Sequence, residues 1–321
     1  MPSAAFGGGP AQRVVGPPER SVAEWLVRLQ QASRLPSYAG TFVVSSSAAG
    51  VMSSARIWHV CEGDVQIEKV EALSGTPRLT YRRNETVVTF LPEVRKVKMD
   101  QRESGGAFPN LLATGGDFAT ADFYSAHEVG QGRVAGFDAD IVLFKPLDNL
   151  RFGYRIWSEK QTGLAVKVQT LDGRGRVLEQ SAFSELQLET PVKGASLLQM
   201  MNSTEHYRVE KVDRVKTTPG AEGWALAKPV PGFTSQSCYR RHAAGDSVVQ
   251  WIFSDGLATV SLFMEPFDAK RHVNEGETAL GATHTLMRRI SGHAGAWWVT
   301  AVGEVPPQTL RAFADGLVRR P

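Results

Sequence analysis

The residue types that most often bind metals or carry catalysis are scattered through this sequence of 321 residues rather than grouped. Its seven histidines stand at positions 59, 127, 206, 242, 272, 284 and 293. No two of them are three or four residues apart, which is the spacing that places two metal ligands on one face of a helix. We therefore expect no metal site and no cofactor.

Acidic and nucleophilic residues give no stronger case for catalysis. Asp138 and Asp140 lie two apart on one face of a candidate strand, where paired carboxylates could exchange protons with a substrate. Carboxylates at this spacing are far more often a solvated strand edge. The sequence also lacks the Gly-x-Ser-x-Gly turn and the Gly-x-x-x-x-Gly-Lys phosphate loop. We expect no catalytic residues and a protein that is not an enzyme, the alternative being a hydrolase assembled from distant residues.

The two cysteines, Cys61 and Cys238, are 177 positions apart and fall in different predicted domains. They are too few for a disulfide framework or a four-cysteine zinc module. They would form one inter-domain disulfide in an oxidising compartment, or remain two buried thiols, which is the commoner state of such residues.

Arginine doublets and one tryptophan are the candidates for binding a partner. A guanidinium suits phosphate or carboxylate groups because it donates two parallel hydrogen bonds, although each doublet could simply be a solvated face. Adjacent strand residues face opposite sides, so one tryptophan of the Trp297-Trp298 pair should be core and the other exposed or at an interface. The candidates are Arg240, Arg241, Arg288, Arg289 and Trp297. A net charge of +3 is too small to favour a nucleic-acid partner.

One amphipathic helix is predicted close to the start of the chain. Ser21 and Glu24 have the spacing of a capping box, in which each side chain bonds to the backbone N–H of the other residue. Apolar residues then recur at helical spacing until Pro36 ends the pattern. These residues are Val22, Trp25, Leu26, Leu29 and Ala32.

From Tyr38 to about Leu188 the hydropathy alternates in the manner of β-strands. Short candidate strands, among them Thr86–Leu91 and Gly132–Phe137, are separated by tight turns such as Glu62-Gly63-Asp64. Turns this short cannot make the crossover that parallel strands need, so the pairing should be mostly antiparallel. We expect residues 21–190 to form one large, curled antiparallel sheet with a helix in front.

The concave side of such a sheet must be filled or remain a cavity. If the helix fills it incompletely, the space could hold acyl chains, each buried CH₂ contributing about 0.8 kcal/mol; the alternative is a well-packed core. The candidate cavity residues are Trp25, Leu29, Phe42, Trp58, Val88, Phe90, Phe108, Leu111, Phe144 and Tyr154. Residues 104–116, apolar between glycine pairs, could form a flap or short helix over the cavity, or a loop on the core.

The rest of the chain predicts a connector and a second, smaller domain. Residues 1–20 are rich in glycine and proline and indicate a disordered lead-in without the pattern of a signal peptide. Residues 191–222 indicate a linker. Residues 223–321 predict an antiparallel sheet with a helix after Pro306-Pro307, an α+β unit. The apolar stripe of that helix is Leu310, Phe313, Ala314, Leu317 and Val318.

The order of these motifs, rather than any one of them, resembles a known family. The first is Trp25-Leu26 and Leu29 leading into Tyr38-x-Gly40-Thr41-Phe42. The second runs from Val134-Ala135-Gly136 through Tyr154-Arg155-Ile156-Trp157 to Thr162-Gly163-Leu164-Ala165-Val166-Lys167 and Leu178-Glu179-Gln180. The third is Trp224, Pro231-Gly232-Phe233 and Val302-Gly303-Glu304-Val305-Pro306. Residues 21–321 thus resemble the periplasmic sigma-E regulatory proteins of the RseB/MucB family, and the second block also resembles the lipoprotein carriers LolA and LolB.

The resemblance implies a mainly β, α+β protein with two domains. Residues 21–190 would be an unclosed β-barrel with a lipid-accommodating cavity, and residues 223–321 would help to hold the periplasmic part of a membrane anti-sigma factor. Such proteins shield the anti-sigma factor from its site-1 protease until lipid or lipopolysaccharide weakens the complex. The location implied is the periplasm, and a homo-oligomer is left open. The alternative is a periplasmic lipid or lipoprotein carrier, although such carriers normally have one domain.

Overall fold

The computed structural model describes residues 20–47, 50–101, 108–109, 111–112, 119–212, 214–243, 246–292 and 295–320. The predicted disordered lead-in therefore lies outside the described residues, apart from Arg20. Most of the predicted flap at 104–116 lies outside them as well, and only Phe108, Pro109, Leu111 and Leu112 of that segment are described.

The first helix, α1 (Val22–Ala32), forms where the sequence predicts it. The Glu24 N–H donates to Ser21 Oγ at 3.3 Å, and the Ser21 N–H donates to Glu24 Oε2 at 2.7 Å, so the capping box is complete. The predicted stripe turns inward, with Trp25 fully buried. Local sequence signals thus fix both the start of α1 and the face that it buries.

Twelve strands form the first sheet, in the order β12-β6-β5-β4-β3-β2-β1-β11-β10-β9-β8-β7. Their bounds are β1 Ser37–Ser46, β2 Met52–Glu62, β3 Val65–Ala72, β4 Leu79–Arg83, β5 Thr86–Leu91, β6 Lys96–Gln101, β7 Tyr124–Val134, β8 Phe137–Pro146, β9 Gly153–Glu159, β10 Ala165–Leu171, β11 Val177–Leu188 and β12 Arg208–Lys211. Strands β11 and β7 come into contact although three strands separate them, so the sheet is strongly curled. Because its edges β12 and β7 do not pair in the part of the chain described, the sheet is open.

The pairing of the first sheet is antiparallel as predicted, with one exception among the described ladders. Strand β12 pairs in parallel with β6, Arg208 opposite Lys96, and so extends the sheet from within the segment predicted as a linker. That segment also carries α3 (Gly194–Asn202), whose Leu197 and Met201 pack on the sheet. Part of the predicted linker therefore belongs structurally to the first sheet.

One predicted strand, Gly132–Phe137, is wrong. Ala135 (φ +49°) and Gly136 (φ +89°) form the turn between β7 and β8, and positive φ at two successive residues suits the tight turn of a hairpin. Alanine rarely adopts this conformation, so the residue type at position 135 did not signal the turn. A short helix of four residues, α2 (Thr120–Phe123), lies immediately before β7.

The second sheet has seven strands in the order β13-β15-β16-β17-β20-β19-β18. Their bounds are β13 Arg214–Thr217, β15 Thr234–Ala243, β16 Asp246–Ser254, β17 Thr259–Pro266, β18 Gly276–Leu280, β19 Thr283–Gly292 and β20 Gly295–Gly303. Helix α4 (Pro307–Gly316) packs against β19 and β20 and buries Leu310 and Phe313 in the domain core. The fold class is therefore the predicted one, an open β-barrel-like sheet with a helix and a smaller α+β unit.

The end of α4 differs from the prediction. Leu317 and Val318 were expected on the helix, but they lie in β21 (Leu317–Arg319), which pairs with β14 (Trp224–Leu226). Arg319, the last residue of β21, places its guanidinium over the rings of Trp224 and Trp297. None of the helices in the described ranges is long and apolar enough to cross a lipid bilayer.

Candidate functional site

Seven of the ten residues predicted to line a cavity meet on the side of the first sheet that α1 covers. They are Trp25, Leu29, Phe42, Phe108, Leu111, Phe144 and Tyr154. Trp25 and Phe144 are fully buried, so the part of this side directly under α1 is filled. Phe42 and Phe108 are only half-buried, and their ring centroids are 5.4 Å apart. Phe183 completes this aromatic edge, which we define as Phe42, Phe108 and Phe183, with its ring 5.0 Å from that of Phe108.

The other three predicted residues, Trp58, Val88 and Phe90, lie on the opposite face of the sheet. Neighbouring strand residues point to opposite sides, so Ile57 packs on the α1 side while Trp58 packs near Leu197 of α3. Val88 and Phe90 are buried against Met201 of the same helix. The structure therefore does not bring these three residues together with the aromatic edge.

A groove of about 380 Å³ lies between α3 and the sheet, beside Trp58. The Lys69 Nζ atom lies 4.3 Å from the centre of the Trp58 ring, and the Arg56 guanidinium lies 5.2 Å from it. Lys69 also pairs with Glu71 at 3.3 Å, so part of its charge is already neutralised within the domain.

The four arginines predicted to bind a partner do not form one surface. Arg240 and Arg241 lie on β15 and Arg288 and Arg289 on β19, four strand spacings apart, or about 19 Å. Each has a partner within the chain. Arg240 donates to both carboxylate oxygens of Glu222, Arg241 to Asp100, Arg288 to Asp315, and the Arg289 guanidinium lies 4.3 Å from the Phe267 ring.

Trp297, the fifth predicted partner residue, is half-buried. Its ring packs edge-on against Trp224 at 5.3 Å, and Arg319 covers it at 4.4 Å. Trp298 turns to the other face, where it is buried and stacked on His272 at 4.8 Å. Neither tryptophan is fully exposed. The part of Trp297 that reaches the surface lies beside the Arg319 guanidinium.

The two domains meet around a buried ion pair that the sequence did not reveal. Arg151, from the loop between β8 and β9, donates from Nε to Asp255 Oδ2 at 2.8 Å, and both side chains are fully inaccessible to water. Tyr124 also donates to Asp255 Oδ2, at 3.4 Å, and the Ala258 N–H donates to Oδ1 at 2.7 Å. The Arg151 guanidinium also faces the Phe123 and Phe233 rings, one from each domain.

A second contact between the domains lies at the turn before β19. The Ala282 N–H donates to the carboxylate of Glu179 on β11. The rings of Phe152 and His284 are 5.7 Å apart. A third contact joins α4 to the loop between β8 and β9, where Thr309 Oγ1 donates to the Leu150 carbonyl at 2.7 Å. The seam is thus built from several separate contacts.

The described side chains offer little for catalysis or metal binding. His59 Nδ1 lies 3.0 Å from Glu68 Oε1, and Tyr38 stacks on the imidazole at 4.5 Å, all within the core. No three His, Cys, Asp or Glu side chains come together to hold a metal ion within the described ranges. Cys61 and Cys238 are free thiols, and burial raises the pKa of Cys238 to about 11, which keeps it protonated and unreactive.

The residues that join the domains gave weak signals in the sequence. Asp255 precedes Gly256 and Arg151 follows Asp148-Asn149, so both looked like ordinary turn residues. Arg151 and Asp255 are 104 positions apart in the sequence, and no local pattern predicts that two residues so far apart will pair. Glu179 and Glu304 carry no sequence signal of a shared environment, because a lone carboxylate usually faces solvent.

Comparison with known proteins matches both domains to the same protein family. The family model of the MucB/RseB N-terminal domain matches residues 21–201, and that of the MucB/RseB C-terminal domain matches residues 218–318. The sigma factor AlgU regulatory protein MucB of Pseudomonas aeruginosa is 29% identical over 298 residues, covering 91% of this chain and 89% of that protein. The sigma-E factor regulatory protein RseB of Haemophilus influenzae is 22% identical, covering 92% and 91%.

Solved structures agree with these matches. The crystal structure of MucB in complex with MucA(peri) superposes with a TM-score of 0.71 at 26% identity, covering 93% of this chain and 99% of that one. A second structure, the Pseudomonas aeruginosa MucA/MucB complex, gives a TM-score of 0.72 at 26% identity and the same coverage.

Proposed function

The chain belongs to the MucB/RseB family of sigma-factor regulatory proteins, and we propose that it holds the periplasmic region of a membrane anti-sigma factor. In this proposal, binding shields the anti-sigma factor from its first protease, and a lipid ligand releases it. The location is the periplasm. The observation that carries the proposal is the match of both domains, in order, to the family.

The complexes solved for related proteins support the partner. MucB was crystallised with MucA(peri), and this chain covers 99% of that MucB chain at 26% identity. The chain therefore spans nearly the whole of the MucB chain seen in that complex.

The aromatic edge is the best candidate for a lipid contact. Trp25 and Phe144 already fill the space under α1, whereas Phe42 and Phe108 keep part of their surface open. Extending an acyl chain over these rings would bury apolar surface on both sides at about 25 cal/mol per Å². We place the lipid here rather than beside Trp58, because Trp58 lies between cations and α3 on the other face.

The lipid side and the second domain are physically joined. Leu257, from the turn before β17, packs in the same buried cluster as Trp25 and Tyr154. Tyr124 of that cluster donates to Asp255, which anchors the second domain on Arg151. A lipid that shifts this cluster would change the relative position of the two domains. Lipid and partner would then bind best to different arrangements of the domains, which is the condition for linkage between their affinities.

A protease-protection assay tests the proposal. The periplasmic segment of the cognate anti-sigma factor is incubated with its site-1 protease, with and without the full chain, and then with added lipid A. We expect cleavage to slow when the chain is present and to recover when lipid is added. Equal cleavage in all three conditions would rule out the proposed function.

A further inference from the structure

The second domain contains a pocket of about 300 Å³ on the sheet face opposite α4. Its lining residues are Thr259, Ser261, Phe263, Thr283, Val302, Gly303 and Glu304. The wall is therefore one aromatic ring, several hydroxyl groups and one carboxylate, which is the composition of a site for a polar ligand with a flat or apolar part.

The charge at this pocket is negative and is not balanced by the chain. Glu304 is an exposed residue at the edge of the pocket, although the protein atoms around its carboxylate partly bury that group. This burial raises the pKa of Glu304 to about 7, and the charge of Glu179 from the first domain adds to the shift. Burial raises the pKa of Glu179 as well, against the lowering effect of the Ala282 N–H. Among the described side chains, no lysine or arginine forms an ion pair with either carboxylate.

Neutral hydrogen-bond acceptors next to the pocket are also left without donors. Gln250 is more than nine-tenths buried, and its Nε2 donates to Ser261 Oγ in the pocket wall at 3.4 Å. Its Oε1 accepts no hydrogen bond from any described group. The buried Tyr154 hydroxyl, near enough for the Glu304 charge to raise the pKa of Tyr154, is likewise without a partner in the described ranges. Buried acceptors of this kind are costly unless a ligand supplies the donors.

We propose that this pocket binds an arginine side chain presented by the bound anti-sigma segment. A guanidinium carries a permanent positive charge and five N–H donors, so it can satisfy the Glu304 carboxylate and the neighbouring oxygen acceptors together. Its flat face can lie on the Phe263 ring, a cation–π contact. This inference rests on the proposed function, and it adds to it the residue type that the partner must place here.

The pocket also explains how partner binding would respond to pH. A cation binds best when Glu304 is ionised, so affinity should rise between pH 6 and pH 8. The groups facing Glu304 are Glu179, which carries the same charge, and Tyr154, which is neutral throughout this range. His284 pairs with Gly303 in the ladder but directs its Nδ1 towards the Ala282 carbonyl.

The experiment compares the full chain with its Glu304→Gln variant, titrating each with the periplasmic anti-sigma segment at pH 8 in a calorimeter. We expect about a tenfold or greater loss of affinity in the variant, because a charge-assisted contact is lost. Glu265→Gln is the matched control, since Glu265 lies on β17, the strand paired with β20 that Glu304 follows, but already pairs with Arg271 at 3.1 Å. The control should change the affinity less than about twofold.

A double-mutant cycle then identifies the arginine. Each arginine of the segment is changed to alanine, and one of these changes should weaken binding to the wild type but not weaken binding to Glu304→Gln any further. If the wild type binds and Glu304→Gln binds equally well, this inference is overturned and the proposed function stands. If the wild type does not bind the segment at all, the proposed function fails and the inference fails with it.

Discussion

Arg151 is the residue on which the contact between the domains most depends. It reaches out of the first domain to Asp255, donates to Asp148 on its own loop and to the Pro231 carbonyl of the second domain, and has no exposed surface. Breaking a buried ion pair leaves the other charge desolvated and unpaired, which costs far more than losing an exposed pair.

We expect Asp255→Asn to lower the free energy of unfolding by about 3 to 5 kcal/mol. Asp315→Asn is the matched control, because Asp315 forms an exposed pair with Arg288 and should cost at most about 1 kcal/mol. Urea unfolding at pH 7 measures both. Similar small losses for the two variants would mean that the Arg151–Asp255 pair does not hold the domains together.

Glu304 predicts a second effect at the scale of one residue. Its folded-state pKa, about 7, is above the ordinary value of 4.5, so the folded protein binds more protons than the unfolded chain between pH 4.5 and pH 7. The stability that the neutral form of Glu304 contributes is therefore fully present only below about pH 4.5, and it is lost as the pH rises from there through 7. Glutamine at this position cannot ionise, so the variant should keep this stability as the pH rises.

Glu304→Gln should therefore melt at the same temperature as the wild type at about pH 4 and at a higher temperature at pH 8. Thermal unfolding of both proteins in the absence of any partner, at about pH 4, 5, 6, 7 and 8, measures the difference. A constant difference across this range would contradict the assignment of a raised pKa to Glu304.

At the scale of elements, the two faces of the first sheet are covered differently. The α1 face ends in the half-open aromatic edge, while the opposite face is closed by α3 over Val88 and Phe90. Under the proposed function, the side of a strand on which a residue lies decides whether it can meet the lipid, even for neighbours such as Ile57 and Trp58.

Phe42→Ser should consequently weaken the release of the partner by lipid more than Trp58→Ser does. Both changes remove a half-buried aromatic ring, so they are matched in exposure but not in face. The protease-protection assay, repeated over a range of lipid A concentrations, gives the midpoint for each variant. A larger shift for Trp58→Ser would place the lipid on the α3 face instead.

The pairing of β1 with β11 gives a test at the same scale. A Cβ atom at Gly40 would lie 2.5 Å from the Glu185 carbonyl oxygen and 2.8 Å from the Phe183 ring, where no side chain fits. Gly40→Ala should cost about 1 to 3 kcal/mol of stability through overpacking. Gly276→Ala, on the exposed edge strand β18 with open space around it, is the control and should be close to neutral. Equal effects in urea unfolding would mean that β1 and β11 are not packed this closely.

Features set by nearby residues could be predicted from the sequence. The capping box placed the start of α1, and turns such as Glu62-Gly63-Asp64 separated strands that do pair antiparallel. Features set by distant residues could not. Strand β12 pairs in parallel with β6 more than a hundred positions away. Trp58, Val88 and Phe90 pack against α3 on the face away from α1, and strand alternation alone could not say which face each helix would cover.

The same limit applies to the candidate site. Seven of the predicted cavity residues share one face of the sheet, because large apolar residues collect on a covered face; that they line a lipid cavity stays a prediction. The arginine doublets were expected to bind a partner, but their partners within the chain come from other elements, such as Glu222 for Arg240. Glu304 was overlooked for the same reason, since its environment is made by β17, β19 and the first domain together.

At the scale of the whole molecule, contacts run continuously from one domain to the other. The aromatic edge, the cluster of Trp25 with Leu257 and the Arg151–Asp255 pair form a path from the proposed lipid site to the second domain. Because lipid and partner would favour different arrangements of the domains, each should lower the affinity of the other by the same factor.

The most direct test is calorimetric titration of the full chain with the periplasmic segment of its anti-sigma factor, at increasing concentrations of lipid A fragments. The account predicts binding without lipid and an affinity that falls progressively as lipid is added. Saturable binding that lipid leaves unchanged, or no binding in any condition, would contradict it.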